Sequence, residues 1–256
     1  MLLDKSKIKA NFNQAHQSYN PNAILQKIVA KNLVELAKKD ISHAKNIIDL
    51  GSATGFIAEE ILSKFSDKKI FQLDIADKML IKNPFSTHKI IADIEALPLR
   101  ENSFDLVLSS LSFQWLNNLE KAIDDIFSTI KNDGNLYFSI LGNKSLQELR
   151  STCQNCQINL SINNFITQDQ LQKILTDLHL NYQIKSETIS LCYPDLYSLL
   201  KSIKSIGAGY STNKNYLGKK QFDLLNSFYL KNFNLNNKIF TTWQVFYVSI
   251  KHFKYV

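Results

Sequence analysis

The stretch NIIDLGSATGF, Asn46 to Phe56, ends an apolar run in Asp49 and then sets Gly51 and Gly55 at the two ends of a loop of small residues. Neither glycine carries a Cβ, so the backbone can approach a ligand closely before the chain turns into a helix. The spacing G-S-A-T-G, with Ala53 in its middle, is not the G-x-G-x-x-G that seats a dinucleotide pyrophosphate. Asp74 closes the next apolar run, KIFQLD, where a carboxylate can accept hydrogen bonds from two vicinal ribose hydroxyls. Asp93 closes a third, HKIIAD, and can accept from an exocyclic amine such as that of adenine, with the Ile94 amide free to donate to a ring nitrogen. In sequence order these are an amino-acid cradle, a ribose clamp and an adenine clamp, and they point to a ribose-bearing ligand.

Such residues converge only if the runs before them are parallel strands. After an amphipathic helix in PNAILQKIVAKNLVELAKKD come NIIDL, the helix FIAEEILSKF, the strand KIFQLDIA and the short helix start ADKML. HKII follows, and Pro98 turns the chain into SFDLVLSS, a strand ending at about Ser109. LEKAIDDIFSTIKNDG reads as a helix closed by Gly134 at C′, and NLYFSIL as the fifth strand. Beyond it, SLQELRSTC and TQDQLQKILTDLHL read as helices, YQIKSETISLCY as a strand, and DLYSLLKSIKSIGAGY as a helix ended by Gly207. The Asn- and Lys-rich segment from Ser211 to Lys238 reads as a cover element, and TTWQVFYVSIK is a closing strand. The alternation predicts an α/β fold: a doubly wound, mostly parallel seven-stranded sheet with an N-terminal helical segment and an inserted helical lid. One domain, 1–256, is expected, its core at about 44–141 plus closing strands at about 182–193 and 240–251, and its lid at about 143–180 and 194–238.

Lys and Arg number 30 against 23 Asp and Glu, a net charge of +7 that favours an acidic partner. Only Arg100 and Arg150 are arginines. Three cysteines, Cys153, Cys156 and Cys192, make no disulfide framework, and CQNC lacks a second pair or a nearby histidine, so no metal is expected. No run approaches the ~20 apolar residues of a membrane span, and Lys5, Lys7 and Lys9 precede no signal-like apolar stretch. No membrane association and a cytoplasmic location are the expectation.

The order DLGSATG, LDIADKML, ADIEALPL, FDLVLSSLSFQWL resembles the class I S-adenosylmethionine-dependent methyltransferases, of Rossmann-like fold. The resemblance implies that Gly51, Ser52 and Ala53 hold the methionine portion of S-adenosylmethionine, Asp74 with Ile75 the ribose, and Asp93 with Ile94 the adenine. Ser109, Ser110 and Leu111 would line the methyl-donor channel, and Gln26 would reach the methionine carboxylate or amine. SSLSFQW carries no (D/N)PP(Y/F) element for methylating base amines, and the NPF at Asn83 follows the second strand, so nucleic acid is not the expected acceptor.

Outside these motifs, NFNQAHQSYNPNAILQ, LSFQWLNNLEKAI, ILGNKSLQELR, LLKSIKSIGAGY and TTWQVFYVSIK are similar to the biotin-pathway malonyl-acyl-carrier-protein O-methyltransferases. That resemblance implies methylation of the free carboxylate of malonyl-acyl-carrier protein, which hides its charge during chain elongation toward the pimeloyl unit of biotin. Tyr19, His16 and Arg150 are then candidates to orient the malonyl carboxylate, and Gln114 and Trp115 stand where the acceptor enters. Lys201 and Lys204, three apart on a helix, would meet the acidic carrier. Two other readings remain open: a small-molecule enzyme of the same class, such as a quinone C-methyltransferase, and a noncatalytic module binding a partner or RNA.

Overall fold

Runs rich in Ile, Leu and Val, each stopped by an acid or a small residue, form the middle of the sheet. The computed structural model describes residues 2–85, 88–210 and 217–251. The parallel strands are β1 (Asn46–Leu50), β2 (Lys69–Asp74), β3 (His88–Ile91), β4 (Phe104–Ser110) and β5 (Ile130–Leu141). β6 (Asn181–Tyr193) and β8 (Lys238–Lys251) complete an order β3-β2-β1-β4-β5-β8-β6, in which β8 runs antiparallel between β5 and β6. Seven long strands are therefore present as expected, joined by a two-residue β7 (Asn234–Leu235) on β8 that the sequence did not announce.

Helices α1 (Lys5–Ala15), α2 (Tyr19–Asn22), α3 (Ile24–Leu36) and α4 (Lys38–His43) precede the sheet. α5 (Phe56–Leu62), α6 (Asp77–Lys82) and α7 (Leu119–Thr129) follow β1, β2 and β4. α8 (Gln147–Asn155), α9 (Gln168–Asp177), α10 (Leu196–Ser205) and α11 (Lys219–Asn232) belong to the second half. Because the sheet is buried on both sides, two apolar cores form. One joins Leu33, Ile47, Ile57 and Leu108 to Leu149, Leu199 and Leu225; the other joins Ile48, Val107 and Phe138 to Ile123, Leu171 and Leu175.

Two expectations change. α7 stops at Thr129, and Gly134 lies inside β5 rather than at a helix C′ position. A Cβ at Gly134 would stand 2.6 Å from Ile130 Cγ2 and 2.9 Å from the Asp105 carbonyl oxygen, where the β4–β5 ladder shifts register. Close strand approach at a bulge, not a left-handed cap, calls for this glycine. The expected lid also divides: α8, α10 and α11 lie on one core, whereas α9 buries Leu171 and Leu175 in the other beside α7. Residues 211–216 of that lid lie outside the described residues. Gly207, by contrast, follows α10 with φ +77° and caps it as the sequence predicts.

Candidate functional site

The carboxyl ends of β1, β2 and β4 meet at one rim, the place where a parallel sheet offers backbone groups and loops to a ligand. The β1 loop is wound tightly, with Gly51, Ala53 and Gly55 at φ of +71°, +45° and +94°. The Gly51 and Ser52 amides donate to the Leu73 carbonyl at 2.8 and 3.0 Å. A Cβ on Gly51 would lie 2.4 Å from Ser112 Cβ, so glycine is required there for both conformation and space. Ala53 takes the left-handed region with its Cβ in place; Asp74 Oδ2 holds it by accepting from the Ala53 amide at 2.8 Å. Asp74 Oδ1 accepts from the Ala76 amide at 2.7 Å, so one carboxylate joins the β1 loop to the β2 turn.

Burial pushes the Asp74 carboxyl up to about 6, against the pull of the Ala76, Ala53 and Ile75 amides. Burial, and then the Asp74 charge, drives the Asp49 carboxyl well above the usual carboxylate range. Asp49 Oδ1 has no hydrogen-bond partner among the described residues. Asp74, at this rim, suits a ligand that donates hydrogen bonds, as hydroxyls and the ammonium of S-adenosylmethionine do, whereas Asp49 is fully buried behind the surface. The Tyr19 phenol is also pushed up, by burial and by the charges of Asp74 and Asp49, so it stays a hydrogen-bond donor. Its ring stacks on Phe56, centroids 5.9 Å apart.

Two cavities occupy this rim. The smaller, about 80 Å³, is lined by Gly51, Ala53, Asp74, Ile75, Asp93, Ile94, Ser110 and Leu111 of the expected donor residues. Ser52 and Ser109 do not line it, and Ser109 is turned away with its hydroxyl donating to the Leu50 carbonyl at 2.8 Å. The larger, about 900 Å³, is lined by Gln26, Gln114, Lys201 and Lys204, so Gln26 is not among the residues of the smaller cavity. Phe12, Tyr19, Leu111 and Trp115 line both and form the partition between them. Arg150 lines neither, because its guanidinium donates to the Ser145 and Asn163 carbonyls and so braces a wall of the large cavity. His16 is likewise outside both, its Nδ1–H donating to the Asn13 carbonyl at 2.8 Å.

The expected N-terminal helical segment includes α1, which lies over the rim and is fastened there by contacts the sequence does not reveal. Lys5 of α1 reaches Asp93 Oδ1 at 3.0 Å and Glu95 Oε2 at 2.6 Å, and Asn13 donates to Asp77 Oδ1 at 2.9 Å. On its other side, the Asp4 amide donates to the Tyr210 hydroxyl at 3.0 Å, and the Ser18 hydroxyl, just past α1, donates to the Ser205 carbonyl at 2.8 Å. A Cβ on Gly207 would press to 2.9 Å on Phe12 Cα, so α10 and α1 are in close contact. At about 80 Å³, the smaller cavity falls short of the ~300 Å³ and more that small-molecule sites occupy. α1 contributes Lys5, Ile8 and Phe12 to its wall. Among the described residues, no group of three or more His, Cys, Asp or Glu could hold a metal, and no helix is long and apolar enough to cross a membrane.

Comparison with known proteins agrees with this geometry. Residues 48–138 match the family described as Methyltransferase domain. The malonyl-acyl-carrier-protein O-methyltransferase 2 of Ilyobacter polytropus is 29% identical over 257 residues, which cover 97% of this chain and 98% of that one. The malonyl-acyl-carrier-protein O-methyltransferase of Hamiltonella defensa is 30% identical over 209 residues, 80% of this chain and 79% of the relative. Among solved structures, a putative methyltransferase from Bacillus halodurans superimposes with a TM-score of 0.62 at 10% identity, covering 88% of this chain and 99% of that one. The plantazolicin methyltransferase BpumL, solved in complex with SAH, gives 0.52 at 14% identity, covering 97% and 90%. These structural likenesses establish the Rossmann-like fold, and the sequence likeness establishes more: the chain belongs to the malonyl-acyl-carrier-protein O-methyltransferase family.

Proposed function

We propose that this chain is an S-adenosylmethionine-dependent O-methyltransferase that methylates the free carboxylate of malonyl-acyl-carrier protein, giving the malonyl methyl ester used in biotin synthesis. The observation that carries the reading is the shared partition of Phe12, Tyr19, Leu111 and Trp115, which sets an acid-rimmed donor cavity against a long acceptor cavity. Bound S-adenosylmethionine supplies an electrophilic methyl on a positively charged sulfur. Gly51, Ala53, Asp74, Ile75, Asp93, Ile94, Ser110 and Leu111 are proposed to hold it. A malonyl carboxylate, with a pKa of roughly 4, is ionised at neutral pH and needs no general base. Its oxygen forms the bond to the methyl carbon as the carbon–sulfur pair departs with sulfur, leaving an ester and a neutral thioether.

The protein's contribution is alignment and exclusion of water. Tyr19, kept protonated, would donate to the carboxylate oxygen that does not attack, and Trp115 and Phe12, edge to face at 5.6 Å, would close the partition around it. Arg150, already engaged by two carbonyls, would keep the wall in place, so carboxylate orientation falls to Tyr19 in this reading. Lys201 and Lys204, both exposed at the large cavity, are proposed to meet the acidic carrier, a long-range attraction that raises the encounter rate. The test is incubation with methyl-labelled donor and malonyl-carrier protein. A base-labile methyl ester on the carrier is expected; label fixed in a base-stable C-methyl group, or none on the carrier while donor binds, would overturn the reading.

A further inference from the structure

Two residues that line the large cavity each hold a buried polar atom that the protein leaves unpaired among the described residues: Gln114 Oε1 and Trp243 Nε1. Gln114 Nε2 donates to the Leu111 carbonyl at 2.6 Å, and the reverse orientation of the amide would set two acceptors against each other. Its free atom is therefore an acceptor. Trp243, 7% exposed, has only a donor to offer, its indole N–H. It sits in β8, opposite Ile189 of β6, and its neighbour Thr242 is pinned by Glu148, which accepts from the Thr242 amide at 2.9 Å and hydroxyl at 2.8 Å. Neither side chain is loose, and an unmet buried donor or acceptor is costly. One unmet acceptor and one unmet donor, held by residues that line the same chamber, are the complement of a secondary amide.

A malonyl group cannot satisfy both. It has carboxylate and thioester oxygens, which accept, and no N–H. The amide must lie in the arm that presents the thioester. We propose that Gln114 Oε1 accepts the N–H, and Trp243 Nε1–H donates to the carbonyl, of a secondary amide close to the thioester sulfur, so that the enzyme selects amide-bearing thioester arms. The inference rests on the acceptor assignment made above and adds a determinant of specificity to it.

Three synthetic malonyl thioesters separate the two contacts when assayed with the full chain. The N-acetylcysteamine thioester keeps the amide, the S-(2-acetoxyethyl) thioester keeps the carbonyl but loses the N–H, and the S-pentyl thioester loses both. For the wild-type protein, kcat/KM is expected to fall roughly 5- to 50-fold at each step. Gln114→Met is expected to bring the amide-to-ester ratio to about 1 while the ester-to-pentyl ratio persists, and Trp243→Phe to do the converse. Ratios within one variant are independent of its active fraction, so partial misfolding does not blur the result. Equal kcat/KM on all three substrates in the wild type would overturn the inference without any variant, and would leave the methylation of malonyl thioesters standing. A ratio unmoved by its variant would overturn the corresponding contact, and a rise in donor Kd in Gln114→Met would move Gln114 to the donor site. Failure to methylate these thioesters and malonyl-carrier protein alike would instead remove the acceptor assignment beneath it.

Discussion

Lowering the pH from 7 to 5 should weaken donor binding about tenfold through a single carboxylate. Asp74 is buried and titrates at about 6, and a neutral carboxyl is a poorer acceptor for ribose hydroxyls than a carboxylate. With binding tied to the ionised form, about nine-tenths of the protein is competent at pH 7 and about one-tenth at pH 5. The groups facing Asp74 are the Ala53, Ile75 and Ala76 amides, Asp49 and Tyr19. Only Asp49 can share the titration; it is pushed up as well, and losing the Asp74 charge would lower it again. The folding linkage has the opposite sign from that of a salt-bridged acid. A raised native pKa means that the folded state holds the proton longer, so Asp74 costs nothing below pH 4. It costs about 3 kcal/mol of stability once pH passes 6.

Asp74→Asn removes that cost but leaves the Ala53 or Ala76 amide facing an NH2 group, a loss of ~1–3 kcal/mol. The two nearly cancel, so Tm at pH 7 should change little. Donor Kd should rise about 100-fold, from the loss of charge-assisted bonds worth ~1.5–3 kcal/mol each. Titration calorimetry with the donor across pH 5 to 8 reads all of this. A wild-type Kd flat over that range, or the same slope surviving in Asp74→Asn, would refute the reasoning.

Gly51→Ala should lower Tm by about 4–8 °C and weaken donor binding, since it combines a positive φ costing ~1–2 kcal/mol with a Cβ 2.4 Å from Ser112 Cβ; an unchanged melt would remove the tight-loop argument. Tyr19→Phe keeps the stack on Phe56 and should reduce kcat roughly 10- to 100-fold with donor Kd unaltered, a split that steady-state kinetics and calorimetry check together. Lys201→Glu with Lys204→Glu should depress kcat/KM on malonyl-carrier protein much more than on a short thioester, and equal losses on the two substrates would remove the docking role. Lys5→Met deletes two part-buried ion pairs of ~0.2–1 kcal/mol each, so amide exchange in residues 5–15 should quicken several-fold; unchanged protection would mean that Lys5 does not fasten α1.

What the sequence made legible was whatever depends on short-range pattern. The runs into Asp49 and Asp74 marked strand ends because inner parallel strands are largely buried on both faces and read as apolar stretches, whereas the edge strand β3 is half exposed and stops at Ile91, two residues short of Asp93. Side-chain direction was less accessible. Ser109 and Ser110 are neighbours, yet the pleat turns one inward to the Leu50 carbonyl and the other toward the cavity. Gly134 looked like a helix cap because glycine has the same spelling whether it provides a left-handed turn or clearance at a bulge. Arg150 was the attractive cation for a carboxylate, but nothing in its helix reveals the Asn163 carbonyl, 13 residues on, that engages it. Trp243 and Phe12 read as core residues by composition and are brought to the cavity walls only by elements distant in sequence.

The strap formed by α1 has a kinetic consequence. It is fastened at Asp93 and Asp77 on one side and at Ser205 and Tyr210 on the other, with Phe12 facing both chambers between them. Release of the thioether from the smaller cavity, which α1 lines with Lys5, Ile8 and Phe12, would require that strap to lift, whereas the ester could leave beside Lys201 and Lys204 at the large cavity. A turnover governed by that step slows with solvent viscosity and ignores isotopic substitution in the transferred methyl, whereas one governed by the displacement shows the reverse.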